Sequence, residues 1–184
     1  MGLKGNDRAR RANDSNNKVL ETRWEMAERE VSRLLIPLLL EGCIVLNDVP
    51  FPYGNLDHLV FSPDNTIYLI ETKSYRGKVT WDGKQLLINK RPFPTNPFCQ
   101  INRSIRWVKR IAERLSGQKQ WIVAVLVFPF AQVEIGRSVK RVNVIASRDL
   151  VSFIQKYPGS RRKRKSCSPP KDPDDFPDCC ESCS

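Results

Sequence analysis

The stretch Gly54-Asn55-Leu56-Asp57-His58-Leu59-Val60, followed by Ile67-Tyr68-Leu69-Ile70-Glu71-Thr72-Lys73-Ser74, decides how this chain is read. Both runs are short and mostly apolar, and Pro63-Asp64-Asn65 between them is a turn signal, so they are predicted to be successive strands. Asp57 lies inside the first run, and Glu71 and Lys73 lie at the end of the second. Side chains two apart on a strand share a face, so this carboxylate and this ammonium project together. Charge within an apolar strand is costly unless something compensates it. Two carboxylates and a lysine brought together by adjacent strands are what a hydrolytic Mg²⁺ site needs. The carboxylates supply hard oxygen ligands, and the lysine stabilises developing charge or orients a water.

On the N-terminal side, Trp24, Ala27, Val31, Leu34, Leu35 and Leu38 recur at three- and four-residue spacing, which predicts a helix that Pro37 should kink or end. Glu28 falls beside this apolar stripe, where a carboxylate can either reach a site under the helix or stay solvated at the boundary. Strands are predicted over 43–49, 56–62, 66–73 and 78–81, with a Pro-Phe-Pro-Tyr-Gly loop after the first. The third is mostly apolar, and so is expected to be central. Asp82-Gly83 ends the fourth, and 85–89 returns as its hairpin partner.

Residues 97–116 are the clearest helix. Ile101, Ile105, Val108, Ala112 and Leu115 form one face, Arg103, Arg106, Arg110 and Arg114 the other, and Gly117 is the stop. The basic face is either simply solvated or a phosphate-contacting surface. Residues 120–130 read as a strand buried on both faces, and 142–146 as another. Ser147 is placed to cap a last helix from 148 to about 157. This order of elements predicts an α/β fold with a mixed central sheet and helices on both faces. No internal repeat is apparent.

The chain has 184 residues, enough for one domain with a proper core. We expect a flexible basic segment over 1–18, the folded domain over 19–158, and a tail over 159–184 that is basic, then rich in Cys, Pro and Asp. The net charge of +11, from 31 Lys+Arg against 20 Asp+Glu, favours an anionic partner, most commonly nucleic acid. Part of that excess is terminal, in Arg8, Arg10 and Arg11 and in the run from Arg161 to Lys165. The N-terminus lacks an apolar stretch, and the run Leu34–Leu40 is seven residues with a proline inside, against about 20 needed to span a bilayer. A cytoplasmic, reduced setting without membrane attachment is the expectation, with Cys43 and Cys99 as small buried hydrophobes. Cys180-x-x-Cys183 is half of a zinc-knuckle spacing, but Cys167 has no partner at two to four residues and Cys179 does not supply one. A zinc site or disulfides are therefore not expected from the tail.

Asn47-Asp48-Val49-Pro50, Gly54-Asn55-Leu56-Asp57-His58, Ile70-Glu71-Thr72-Lys73, Gly77-Lys78-Val79 and Asn96-Pro97-Phe98-Cys99-Gln100 together resemble the nuclease-related domain, NERD, over roughly residues 24–130. An E-x-K tripeptide alone is common by chance; the ordered set of G-N-x-D-H, E-T-K and N-P-x-x-Q is far more specific. Ala27-Glu28-x-x-Val31 resembles the family's G-E-x-x-V helix motif, with Ala in place of Gly. The resemblance extends to the PD-(D/E)XK restriction-endonuclease-like superfamily. It implies an α/β/α core and metal-dependent phosphodiester cleavage, with DNA as the expected substrate.

On that reading Asp57 and Glu71, with a backbone carbonyl near Thr72, hold Mg²⁺ or Mn²⁺, and Lys73 orients the water or stabilises charge. The resemblance alone implies the roles of Glu28, in positioning a water or a second metal, and of Gln100, in holding the water or a phosphate oxygen. His58, the only histidine, can donate to phosphate or serve structurally, and it excludes a His-based metal cluster. Two alternatives stay open. One is an inactive nucleic-acid-binding module in which Lys73 simply pairs with Glu71 or Asp57. The other is an adaptor working through its tail. No motor motif is present, so any helicase or DNA-processing partner is a separate chain.

Overall fold

The computed structural model describes residues 22–136 and 138–156. The expected basic N-terminal segment, the tail with its four cysteines and the end of the last predicted helix lie outside the described residues.

Helix α1 (Arg23–Leu40) begins at a capping box: Thr22 Oγ1 accepts from the Glu25 N–H, and the Thr22 N–H donates to Glu25 Oε2 at 2.6 Å. Pro37, expected to kink or end this helix, does not end it. It deletes one backbone donor near the C-terminus, while Leu38 beyond it is buried and helps hold the last turn down. The chain leaves the helix at Gly42, whose φ of 81° the turn requires. Trp24, expected on the buried stripe, is exposed at the first turn, before the helix reaches the sheet.

The main sheet has the order β1 (Ile44–Phe51), β2 (Gly54–Phe61), β3 (Ile67–Thr72), β7 (Ile122–Phe128), β10 (Val142–Ala146), β9 (Ser138–Val139). β1, β2 and β3 form an antiparallel meander, β3–β7 and β7–β10 are parallel, and β9 closes the edge antiparallel. The predicted 50–54 loop is shorter than expected, because β1 continues to Phe51 and pairs it with Gly54. β3 is buried throughout, as its composition predicts. Alternation sorts its side chains and those of β7 between two cores.

Tyr68, Ile70, Val123, Val125 and Val127 pack with Val31, Leu35 and Leu38 of α1 and with Leu150 and Ile154 of α3 (Leu150–Lys156). Ile67, Leu69, Ala124, Leu126 and Phe128 pack on the other side with Phe98, Ile101 and Val108 of α2 (Pro97–Ser116). Helices thus cover both faces of a mixed sheet, the α/β plan of a restriction-endonuclease-like core.

The predicted hairpin of 78–81 with 85–89 forms, but within a second sheet that was not foreseen. It runs β6 (Arg91–Pro92), β5 (Leu86–Ile88), β4 (Gly77–Trp81), β8 (Ala131–Val133), and it adds Val79, Leu86 and nearby Phe93 to the α2-side core. Ser147 does not cap the last helix; it opens a 3₁₀ turn (Ser147–Asp149) that leads into α3, without a side-chain cap. Helix α2 matches its expected limits. Asn96 Oδ1 accepts from the Phe98 N–H, Pro97 occupies the first turn, and Gly117 ends the helix at φ 67°. Leu115 is exposed, because the last turn of α2 extends beyond the core that buries Val108. Cys43 is buried as expected, whereas Cys99 is only half-buried. No described helix is long and apolar enough to cross a membrane.

Candidate active site

Strand alternation aims Glu71 at the α2 side, on the same face as Leu69. Glu71 is 2% exposed there. Lys73 follows on the same face, and its backbone N–H still donates to the Val127 carbonyl at 2.9 Å, which prolongs the β3 ladder. The Lys73 ammonium donates to Glu71 Oε1 at 2.8 Å and to Gln100 Oε1 at 2.7 Å. Gln100 Nε2 closes the ring of contacts by donating to the same Glu71 oxygen. The expected Glu71–Lys73 pair is therefore completed by Gln100 from the first turn of α2, where the Asn96-Pro97 cap aims it. Both bonds to Glu71 fall on Oε1, which leaves Oε2 outside them.

Asp57, on neighbouring β2, reaches across the sheet, and its Oδ2 accepts from the Thr72 N–H at 2.6 Å. That bond places it beside Glu71, and the electrostatics follow. Burial, then the Glu71 charge, push the Asp57 carboxyl up to about 8, against the Thr72 bond and the Lys73 charge. Glu71 is also raised, because burial outweighs the stabilising Lys73 charge and the bonds from Lys73 and Gln100. Two carboxylates that both resist ionisation share this corner.

Glu28, on α1, is half-buried. Its carboxyl is raised first by burial and then by the charges of Asp48, Glu71 and Glu25, with Lys73 opposing. No hydrogen bond or ion pair joins it to Asp57, Glu71 or Lys73 among the described residues; it shares their field without touching them. Arg103, Arg106, Arg110 and Arg114 lie exposed along α2, and none is ion-paired among the described residues. His58 points away from the carboxylates. It is 1% exposed, with Nδ1 and Asn47 Oδ1 2.8 Å apart, and burial lowers its pKa to about 4.

Asp48 belongs to this acidic group, although the sequence reading gave it no role. It stands opposite Asp57 between the pairs Asn47–His58 and Val49–Leu56. Its φ is 53° and its Oδ1 accepts from Asn55 Nδ2 at 2.6 Å. Like Asp57, it is a carboxylate inside an apolar strand, and that pattern is its signal in the sequence.

Among the described residues no three His, Cys, Asp or Glu side chains form a ready metal cage. Mg²⁺ does not demand one, since it keeps several waters and is commonly held by one or two carboxylates plus a substrate phosphate. Asp57 and Glu71 are hard oxygen donors whose combined charge is unfavourable without a cation, so their chemistry fits such an ion.

The model of the nuclease-related domain family matches residues 23–129, more than half of the chain. No curated protein and no solved structure matches it. The matched span runs from the start of α1 to the end of β7, and it contains every member of the acidic corner together with Lys73 and Gln100. The chain belongs to the nuclease-related domain family.

Proposed function

We propose that the chain is a metal-dependent nuclease that hydrolyses phosphodiester bonds, with DNA as its substrate and Asp57, Glu71 and Lys73 as its catalytic residues. The observation that carries this reading is the meeting of two carboxylates from adjacent strands with a lysine held between Glu71 and Gln100. Asp57 and Glu71 would hold Mg²⁺ or Mn²⁺. When bound, the ion supplies Lewis-acid polarisation of the phosphate and a water acidic enough to attack near neutral pH.

Lys73 is oriented by its two acceptors, so its ammonium meets charge developing on the phosphate without first having to be ordered. Gln100 is a positioning residue: it holds both members of the Glu71–Lys73 pair. Thr72 fixes the Asp57 carboxylate through its backbone N–H, which no side-chain substitution at 72 removes, proline excepted. Glu28 and Asp48 extend the negative field and can orient water at its edge.

The alternative is a binding module with the same fold. The closed Glu71–Lys73 ion pair is what favours it, because a paired lysine can also be purely structural. Cleavage of labelled single- and double-stranded DNA with Mg²⁺, Mn²⁺ or EDTA separates the two. The nuclease reading expects metal-dependent cutting that Glu71→Gln and Lys73→Ala abolish. DNA binding without cutting in any metal would overturn it in favour of the module.

A further inference from the structure

Beside the acidic corner lies an aromatic group that the mechanism does not use. Tyr53, at the β1–β2 turn, is 64% exposed. The Arg103 guanidinium lies over its ring, 5.1 Å from the centroid. Phe51 meets the ring edge-on at 5.9 Å and in turn packs against Trp107 of α2 at 5.7 Å. The ring is thus fixed by one cation and an aromatic chain behind it, and its exposure is left to the surface facing solvent.

Two chain connections tie this group to the candidate active site. Arg103 is three residues after Gln100, about 4.5 Å along the helix axis. Tyr53 is four residues before Asp57, about 13 Å along the strand. In the other direction, Arg106, Arg110 and Arg114 continue from Arg103 at spacings that keep them on one helix face, over about 16 Å. Tyr53 therefore sits against Arg103, at the end of the guanidinium row nearest Gln100.

We propose that Tyr53, braced by Arg103, is a stacking platform for an unpaired nucleobase, and that the site's substrate is single-stranded nucleic acid tracked by the α2 arginines. The proposal rests on the phosphodiesterase reading of the adjacent site and names its substrate class. An anionic backbone matches the arginine row, which has no acidic partners of its own among the described residues. A base offers a π-face to an exposed ring only when it is not stacked inside a duplex. Arg103 serves both features, because a guanidinium over an aromatic ring still has edge donors to give to a phosphate.

The test is fluorescence anisotropy with the full chain in EDTA, so that binding is read without turnover. The probes are a labelled 20-nucleotide single strand, the same sequence as a duplex, and a single strand carrying abasic positions. Tyr53→Ala is expected to weaken single-strand binding roughly tenfold and to leave duplex binding unchanged, while Tyr53→Phe restores it. Abasic positions should weaken wild-type binding by a similar factor and leave Tyr53→Ala unaffected.

A single-strand affinity of Tyr53→Ala within twofold of wild type, or an equal loss on strand and duplex, overturns the platform. So does indifference of the wild type to abasic positions. These results stand apart from the nuclease question. A protein that never cuts but shows the Tyr53 pattern keeps the platform and loses the activity. One that cuts normally as Tyr53→Ala, with unchanged strand affinity, does the reverse.

Discussion

Asp57 Oδ2 accepts the Thr72 backbone N–H at 2.6 Å, a bond that joins β2 to β3 through a carboxylate instead of a carbonyl. It holds Asp57 next to Glu71, where burial and the neighbouring charge raise its pKa from 3.8 to about 8. The native state therefore keeps a proton that the unfolded chain releases between these values. The stability this confers is complete below about pH 3.8 and is lost as pH rises through about 8. Asp57→Asn stays neutral throughout, so its stability relative to wild type should grow from pH 5 to pH 9 in EDTA. About 2 kcal/mol is expected, well below the nominal ceiling of about 1.4 kcal/mol per pH unit, because a part-exposed carboxylate is screened. Denaturant unfolding at both pH values measures it. A difference that stays flat with pH would mean that Asp57 ionises freely.

The same charge frustration predicts stabilisation by the divalent ion itself. Mg²⁺ or Mn²⁺ at pH 8 should stabilise the wild type by RT ln(1 + [L]/Kd), about 2.7 kcal/mol at 100 times Kd, which is read as a rise in Tm. The rise should vanish in Asp57→Asn and Glu71→Gln. Equal shifts in all three proteins would place ion binding elsewhere on the chain.

Gln100→Ala should spare folding but loosen the lysine. Lys73 would keep Glu71 as a partner and lose its second acceptor, while Glu71 Oε1 would lose one of two donors. Residues that orient a site in this way typically contribute 10–100-fold. The expected result is a kcat reduced by roughly that factor, with KM little changed. A change confined to KM would show that Gln100 binds substrate and does not position Lys73.

The acidic corner was legible because its members are polar residues on otherwise apolar strands, and alternation alone puts Glu71 and Lys73 on one face. Helix α2 was legible at both ends, since Asn96-Pro97 and Gly117 act locally. The second sheet was legible only in its 78–81 and 85–89 hairpin. Its parallel pairing joins Gly77 to Ala131, and nothing near either residue in sequence records the other. The contact of Arg103 with Tyr53 was hidden for the same reason, being a meeting of a hairpin turn and a helix half the matched domain apart. Pro37 left a kink or an end open by its local rule, and the burial of Leu38 beyond it goes with a helix that does not end there. Asp48 lies inside the predicted 43–49 strand but was given no role, because its place opposite Asp57 depends on the β1–β2 register, which neither strand records alone.

The small sheet offers a test of its own. Gly77 has φ 111°, and a Cβ there would run into the Asn89 side chain, which accepts from the Lys78 N–H at 2.9 Å and donates to the Arg76 carbonyl. Gly77→Ala should therefore break that bracket and strain the backbone, lowering stability by about 1–3 kcal/mol. Asn89→Ala removes the obstruction but also the bracket, so combining the two should cost less than the sum of the single changes. Additive losses in denaturant unfolding would show that the strain at Gly77 is independent of Asn89.

His58 works against the fold as pH falls. Its ring is 1% exposed, its Nδ1–H donates to Asn47 Oδ1, and its Nε2 has no partner among the described residues. Charging it would bury a cation with no counter-charge in contact, and its pKa falls from 6.5 to about 4. Here the unfolded chain binds the extra proton. Stability is complete above about pH 6.5, is lost as pH falls toward 4, and is flat below that, for a total of roughly 3 kcal/mol. This slope opposes that of Asp57 over the same range, so the wild-type profile alone cannot separate them. His58→Leu can: it removes the histidine contribution and leaves the carboxylate's. Urea midpoints in EDTA from pH 4 to 7.5 should show His58→Leu gaining on the wild type as pH falls. A constant offset between the two proteins across that range would mean that His58 accepts its proton in the folded state as readily as in the unfolded one.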